Sequence, residues 1–151
     1  MDVFSPEKRS QVMSRIRSKD TKPEKIIRSI LHKLGFRFRI NRKDLPGKPD
    51  IVLPKCKTVI FVHGCFWHQH EDCKYAVMPK SNTNYWKPKL TKNMDRDKLN
   101  IKRLNEIGWN VLTIWECQIP TITKSPQIIE EKIKKGIYWL SEKFIPLSYS
   151  I

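Results

Sequence analysis

Residues 50–63 read DIVLPKCKTVIFVH, two apolar runs separated by a short break that contains proline and lysines. The first run follows Asp50 directly, and the second is apolar almost throughout from Thr58 to Val62 before it ends at His63. Such a run predicts a strand that is covered on both faces, because a half-exposed strand alternates apolar and polar residues. The two runs therefore predict the centre of a sheet, and pairing between them would bring Asp50 close to His63.

Upstream of this centre the sequence predicts two helices and a strand. Ser5-Pro6 opens a short helix in a basic arm that covers about residues 1–20. A second helix follows, with Thr21 as its N-cap, Gly35 as its stop, and isoleucines and leucines along one face. Over residues 36–40 phenylalanine and isoleucine alternate with arginine, which predicts a half-buried strand.

Downstream, the sequence predicts a helix from about Pro88 to Ile107, a buried strand over residues 110–115, and a last helix opened by Ser125-Pro126. The resulting order is helix, three strands, helix, strand, helix. It predicts an α/β fold with a mixed sheet flanked by helices. Without repeats or linkers, we expect residues 1–151 to form a single domain.

The charge balance predicts a polyanionic partner. Lys and Arg number 30 against 15 Asp and Glu, so the formal net charge is +15. Each phosphate that a basic residue neutralises releases a condensed counterion, which favours nucleic acid over a merely solvated basic surface. No apolar run reaches the roughly 18 residues of a membrane span, and the charged N-terminal segment lacks a signal core, so we expect a cytoplasmic protein.

Three cysteines and a histidine are spaced as metal ligands. Cys65-x4-His70-x2-Cys73 and the distant Cys117 offer three sulfurs and one nitrogen, a set that tetrahedral structural zinc uses. Cys117 follows the strand over residues 110–115, and it reaches the same edge of the sheet if that strand adjoins the central one. The alternative is a group of buried thiols beside a surface histidine. Four protein ligands would leave no position for a reactive water, so any chemistry is expected elsewhere.

Asp50 is a candidate magnesium ligand. It stands where the turn Gly47-Lys48-Pro49 enters a strand, and a carboxylate there could hold Mg²⁺ against a scissile phosphate. His63 would lie near it, and His68 follows on the loop that zinc would order. A histidine there could exchange protons with water or a leaving oxygen near neutral pH. If Asp50 merely caps a turn, the chain is a non-catalytic zinc DNA-binding protein.

Together these features resemble the very-short-patch repair (Vsr) endonucleases, bacterial enzymes that nick DNA at mismatches. The resemblance covers about residues 5–118 and is carried most specifically by HGCFWH at residues 63–68 together with WEC at residues 115–117. Other matching positions are Met13, Asp20-Thr21, Glu24, LPGKPD at residues 45–50, Tyr85-Trp86, Lys89, Lys92-Asn93, Arg96-Asp97, Leu104 and Gly108-Trp109.

The resemblance implies a restriction-endonuclease-like fold with one structural zinc ion. It implies Mg²⁺-dependent hydrolysis of the phosphodiester 5′ to the thymine of a T·G mismatch, which arises when 5-methylcytosine deaminates. The substrate would be double-stranded DNA, and the enzyme would act as a monomer at the bacterial nucleoid with repair proteins of the MutL and MutS type. Alternatives are a restriction-type endonuclease that cuts matched duplex DNA and the non-catalytic zinc protein.

By position, the resemblance assigns Asp50 and the backbone carbonyl of Val62 to Mg²⁺. His68 would be the general acid/base, His63 would assist at the phosphate, and Glu24 would support the metal-bound waters. Zinc would be held by Cys65, His70, Cys73 and Cys117.

The chain departs from the family pattern in three places. Many relatives carry threonine at the position of Val62, and the E-x-K element of the fold superfamily is replaced by residues 61–63. The loop after His68 is one residue longer, which leaves Glu71 and Asp72 as alternatives to His70 at the zinc ion.

The resemblance also implies a set of DNA-facing residues. Phe66, Trp67 and Trp86 would insert between base pairs, with Met13 approaching from the minor groove; the alternative is that the rings cover the zinc loop. A T·G wobble pair opens more easily than a matched pair, so such a wedge contributes to mismatch selection.

The helix that follows adds polar contacts at i, i+3 and i+4 spacing. Lys89 and Asn93 would contact the mismatched bases, and Lys92 and Arg96 would meet phosphates; the alternative is a solvated basic face. Asp97 is interpreted as a structural salt bridge or cap.

Overall fold

The computed structural model describes residues 5, 7, 20–40 and 42–144, with side chains described as far as residue 135. Apart from residues 5 and 7, the predicted N-terminal helix therefore lies outside the described residues, and so does Met13. The elements run in the order α1 (Lys22–Lys33), β1 (Arg39–Ile40), β2 (Ile51–Leu53), β3 (Thr58–His63), α2 (Thr83–Glu106), β4 (Asn110–Trp115), α3 (Ile119–Lys124) and α4 (Gln127–Phe144). Single 3₁₀ turns, Pro54–Cys56 and Glu116–Gln118, follow β2 and β4.

The sheet has four strands in the order β1-β2-β3-β4. Strand β2 is antiparallel to both β1 and β3, while β3 and β4 are parallel, so the predicted mixed sheet is confirmed. As the apolar run predicts, β3 lies in the middle and is buried along almost its whole length. In the parallel register His63 lies opposite Trp115, so the loops after β3 and β4 leave the same edge of the sheet.

Both faces of the sheet are covered by helices. On one face Ile51, Leu53 and Ile60 pack with the apolar sides of α1, α3 and α4. On the other face Val52, Val59 and Phe61 pack with a second cluster that includes Leu104 of α2. Successive strand residues point to opposite faces, and each face buries an apolar row. This layering places β3 between helices on both faces of the sheet.

The predicted start of α1 is confirmed at atomic detail. The Oγ1 of Thr21 accepts the backbone N–H of Glu24 at 3.4 Å, and the Glu24 carboxylate accepts the Thr21 hydroxyl at 3.2 Å and the backbone N–H of Asp20 at 3.0 Å. These bonds satisfy amide groups that a helix N-terminus leaves without partners. The cap fixes Glu24 at the edge of the sheet.

Three element predictions are corrected by the structure. The strand predicted over residues 36–40 shrinks to Arg39–Ile40, because β2 has only three residues and offers a short pairing edge. Helix α2 begins at Thr83 and runs through Pro88, because the buried Trp86 anchors its first turns and the proline removes one main-chain hydrogen bond near the helix start. Helix α3 was not predicted at all; it buries Ile119 and Ile122.

Candidate active site

Asp50 and the end of β3 meet at one edge of the sheet. In the antiparallel register of β2 and β3, Ile51 pairs with Ile60, so the preceding Asp50 lies beside the end of β3. The backbone N–H of Val62 donates to Oδ2 of Asp50 at 2.8 Å. Among the described residues, Oδ1 of Asp50 has no hydrogen-bond partner. The carboxylate is therefore oriented through one oxygen, and the other is left for a cation or water.

Burial raises the pKa of Asp50 to about 6. The backbone N–H of Val62 opposes this shift, the nearby Glu24 adds to it, and His68 and Arg28 oppose it. A bound divalent cation would favour the ionised form, because an adjacent positive charge stabilises a carboxylate. The site therefore has the charge and the open oxygen that a magnesium ligand needs.

His63 and His68 form a parallel stack beside Asp50. Their ring centroids are 3.7 Å apart with an interplanar angle of 4°. His63 is 7% exposed, and burial lowers its pKa to about 4, so it is neutral at pH 7. The stack fixes the ring plane of His68, the more accessible of the two.

Asp97 of α2 holds the other side of His68. Its Oδ2 lies 2.6 Å from Nδ1 of His68. An ionised carboxylate only accepts hydrogen bonds, so Nδ1 carries the proton and Nε2 is the nitrogen available for proton transfer. The sequence predicts that Asp97 forms a structural salt bridge or a cap, but it does not identify His68 as the partner. His68 and Asp97 lie 29 positions apart, so no local spacing in the sequence reveals this contact.

The ligand atoms of His63, His68 and Asp97 lie within 4.8 Å of one another, which is close enough to suggest a metal site. The geometry argues against a metal site at these three residues. In a parallel stack the two imidazole lone pairs point along parallel planes and do not converge on a single ion. In addition, Nδ1 of His68 is already bonded to Asp97. The hydrogen bond to Asp97 and the stack on His63 instead fix the orientation of the His68 ring.

Glu24 lies beside Asp50 but is occupied by local contacts. It is 3% exposed, and besides the capping bonds it receives Arg28 at 3.1 Å. Arg28 also pairs with Asp20 at 2.8 Å, so one partly buried guanidinium joins two carboxylates next to Asp50. Sequence reasoning missed Arg28, although its i, i+4 spacing from Glu24 marks such a pair.

These groups open into a cleft of about 1280 Å³ between the turn before β2 and helix α2. The turn packs directly onto the helix. Gly47 has φ +76°, and a Cβ there would lie 2.9 Å from the side chain of Asn100, so glycine is needed for both the conformation and the approach. Of the predicted polar contacts, Lys89, Asn93 and Arg96 line the cleft, and Lys92 does not.

An aromatic cluster of Phe66, Trp67, Tyr85 and Trp86 stands beside the cleft. Trp86 is 8% exposed and packs edge-on against Phe66, at 5.4 Å, and against Tyr85, at 5.0 Å. Phe66 and Trp67 are half-buried, and Asn93 donates to the Trp67 carbonyl at 3.1 Å. Of the three rings predicted to insert into DNA, Trp86 is therefore the most deeply buried, and Phe66 and Trp67 are more exposed.

Behind this loop lies a cluster of Cys65, His70, Cys73 and Cys117, whose ligand atoms all lie within 4.8 Å of one another. The parallel pairing of β3 and β4 brings Cys117 to the loop, with its Sγ 3.4 Å from Nδ1 of His70. The structure gathers His70 into the cluster and leaves Glu71 and Asp72 exposed on the surface.

The donor set fits a zinc ion. Burial raises the pKa of Cys65 to about 12, and the backbone N–H of Tyr75 holds the pKa of Cys73 below its ordinary value. A cation would displace the protons and stabilise the thiolates, which backbone N–H groups already favour at Cys73. Trp115 connects this cluster to the active site, because its ring stacks on His70 at 4.1 Å and meets His63 edge-on at 5.3 Å.

The fold has a counterpart among solved structures. The catalytic domain of the homing endonuclease I-Bth0305I superposes with a TM-score of 0.52 at 23% sequence identity, covering 78% of this chain and 99% of that domain. The likeness defines the architecture as a restriction-endonuclease-like fold. Within the described residues, no helix is long and apolar enough to cross a membrane.

Sequence comparison then gives the family. The model of the DNA mismatch endonuclease Vsr family matches residues 1–75. The type II nicking enzyme V.XorIIP of Xanthomonas oryzae is 50% identical over 118 residues, covering 78% of this chain and 86% of that protein. The DNA mismatch endonuclease Vsr of Escherichia coli is 43% identical over 137 residues, covering 90% and 87%. This chain belongs to the Vsr family and is a DNA endonuclease.

Proposed function

We propose that this endonuclease nicks one strand of duplex DNA 5′ to the thymine of a T·G mismatch, in a Mg²⁺-dependent reaction that starts very-short-patch repair. The observation that carries the proposal is a single cleft in which Asp50 and the His68–Asp97 pair stand beside an aromatic cluster. The E. coli relative named a mismatch endonuclease supports the substrate, and the Xanthomonas relative named a nicking enzyme supports the single-strand cut.

Asp50 would hold Mg²⁺ through its unpartnered oxygen, with the backbone carbonyl of Val62 as a second protein ligand. The bound ion would supply charge neutralisation at the scissile phosphate and a water of lowered pKa. Asp50 is kept in place by the Val62 N–H, and Glu24 lies near enough to order water around it.

His68 would transfer the proton. Asp97 fixes its tautomer and ring orientation, so Nε2 faces the reacting groups without having to reorganise. His63, neutral and stacked beneath, would donate a hydrogen bond to a phosphate oxygen and prevent His68 from turning. The ring geometry and the burial of His63 support these roles.

Selection of the mismatch would fall to the aromatic cluster and α2. Phe66, Trp67 and Trp86 would enter the base stack, Trp86 being the most deeply buried of the three, with Met13 on the minor-groove side. Lys89 and Asn93 would contact the mismatched bases, while Arg96 and Lys92 meet phosphates. Zinc held by Cys65, His70, Cys73 and Cys117 would brace the loop, and repair proteins of the MutL and MutS type would act as partners.

The active-site assignment is tested with Asp50→Ala and His68→Ala in strand-specific nicking of a T·G duplex with Mg²⁺. Both variants are expected to lose nicking and to keep mismatch binding. Asp44→Ala is the matched control, since Asp44 is an exposed aspartate paired with Arg42 outside the cleft. Full Mg²⁺-dependent nicking by Asp50→Ala would refute the site, and a chain that binds DNA without nicking it would be the non-catalytic zinc protein.

A further inference from the structure

Tyr85 combines exposure with a place in the cleft. Its side chain is 55% exposed, whereas the adjacent Trp86 is 8% exposed. Among the described residues, the other large exposed apolar side chains, such as Tyr75, do not line the cleft. An aromatic ring left in water beside a catalytic site has the properties of a contact surface.

The ring of Tyr85 packs against neighbouring side chains. It meets Trp86 edge-on at 5.0 Å, and Trp86 is wedged against Phe66 and Trp67. The ammonium of Lys89 lies over the Tyr85 ring, 5.9 Å from its centroid. Since Tyr85 stands in the first turn of α2, its backbone is fixed by the helix as well.

The position of Tyr85 on α2 aligns it with the cleft residues. Tyr85, Lys89, Asn93 and Asp97 follow one another at intervals of four residues, so they form one stripe along the helix. Successive members are about 6 Å apart along the helix axis. The stripe runs from the aromatic cluster to Asp97, which bonds to His68, and Tyr85 lies at its N-terminal end.

We propose that Tyr85 contacts the DNA substrate by stacking its ring on a nucleobase that the mismatch releases from the base stack. The inference rests on the proposed function and adds a residue to its substrate contacts. DNA is the fitting occupant because the ring opens onto the nuclease cleft, the neighbouring Lys89 supplies positive charge, and every base has a π-face for an aromatic ring. Trp86 is then the support of the ring.

Tyr75 provides a matched control. It is a tyrosine of similar exposure, 59%, with Lys74 over its ring at 5.1 Å, and it lies outside the cleft. Dissociation constants for T·G and T·A duplexes of one sequence are measured by fluorescence anisotropy without added Mg²⁺, for the wild type, Tyr85→Ala, Tyr85→Phe, Tyr85→Leu and Tyr75→Ala. A 2-aminopurine beside the mismatch reports unstacking in the same complexes.

Loss of one base–ring stack weakens binding by about 5- to 150-fold. Tyr85→Ala and Tyr85→Leu are expected to show such a loss on the T·G duplex, a smaller loss on the T·A duplex and a reduced 2-aminopurine signal. Tyr85→Phe and Tyr75→Ala are expected to bind like the wild type. Binding of the T·G duplex by Tyr85→Ala as tight as that of Tyr75→Ala, or an equal loss on both duplexes, would overturn the inference.

The same measurements separate a wrong role for Tyr85 from a wrong proposed function. A wild-type enzyme that binds and nicks both duplexes equally refutes mismatch specificity, whatever Tyr85 does. A wild-type enzyme that discriminates, together with a Tyr85→Ala variant that discriminates equally well, refutes the role of Tyr85 alone. Thermal unfolding of Tyr85→Leu, which keeps apolar bulk at an exposed site, checks that the fold is intact.

Discussion

Burial disfavours the ionised form of Asp50, so the stability of the metal-free protein depends on pH. The Asp50 pKa of about 6 in the folded protein lies above the ordinary value of 3.8. Between these values the folded state binds the proton more tightly than the unfolded state, so the free energy of unfolding falls as pH rises from about 4 to about 6. Above pH 6 the ionised carboxylate destabilises the metal-free protein.

Asp50→Asn is therefore expected to stabilise the protein by about 1–3 kcal/mol at pH 7.5 without divalent ions. The amide oxygen can still accept the Val62 N–H, so only the charge is removed. Thermal unfolding of both proteins at pH 4 and pH 7.5 measures the effect, which should nearly vanish at the lower pH. Destabilisation by Asp50→Asn at both pH values would contradict it.

Asp97 acts on His68 through a single hydrogen bond. Asp97→Asn removes the charge and allows the wrong imidazole tautomer, so the nicking rate is expected to fall on the order of 10²- to 10⁴-fold, the range of general acid–base catalysis. Binding of the T·G duplex should stay within a few-fold of wild type. The control is Asp95→Asn, an exposed aspartate on the same helix that does not line the cleft. Equal rates for the two variants would assign Asp97 a structural role.

At the scale of elements, the N-terminus of α1 depends on one partly buried cation. Arg28 pairs with Glu24, which is 3% exposed, and with Asp20. Arg28→Met leaves Glu24 buried and without its cation, so the free energy of unfolding is expected to fall by about 3 kcal/mol. Urea unfolding measures the loss, and Lys25→Met, an exposed change on the same helix, is the control.

A second substitution separates charge from packing at this helix end. Glu24→Gln in the Arg28→Met background removes the uncompensated carboxylate and is expected to restore much of the lost stability. If the double variant is as unstable as Arg28→Met alone, the effect comes from the lost arginine side chain and the electrostatic explanation is wrong.

Elements with a strong local pattern could be predicted from the sequence, and elements set by neighbours could not. The apolar run of β3 and the cap at Thr21 carry their own signals, and both are confirmed. The length of β1 depends on how much of β2 is available for pairing, and the start of α2 depends on burial of Trp86 against the aromatic cluster. Such tertiary contacts leave no mark in a local pattern.

The candidate active site shows the same difference between local sequence patterns and tertiary contacts. Asp50 and His63 could be placed because each stands at the end of an apolar run, and the Cys/His cluster could be found because its spacing suits metal ligands. Strand pairing then brings these residues to one edge of the sheet. The link between His68 and Asp97 joins residues 29 positions apart, so only the packing of α2 on the loop reveals it.

At the scale of the whole molecule, the Cys/His cluster ties the loop after β3 to the turn after β4. Purified protein is expected to carry about one zinc ion per chain. Removal with a chelator should lower the melting temperature and abolish nicking, because His68 lies on the loop that the ion would fix. Cys56→Ser is the control, since Cys56 lies outside the cluster. Protein that contains no zinc yet is fully active would refute the ligand set.

The proposed action of the cleft on a mismatch is tested by comparing mismatched and matched duplexes. Single-turnover nicking is followed on two duplexes of identical sequence that differ only in T·G against T·A, with the label on the thymine strand and with or without Mg²⁺. We expect a single Mg²⁺-dependent nick 5′ to the mismatched thymine and little cutting of the matched duplex. Equal nicking of the two duplexes would contradict this expectation and would point to a restriction-type endonuclease.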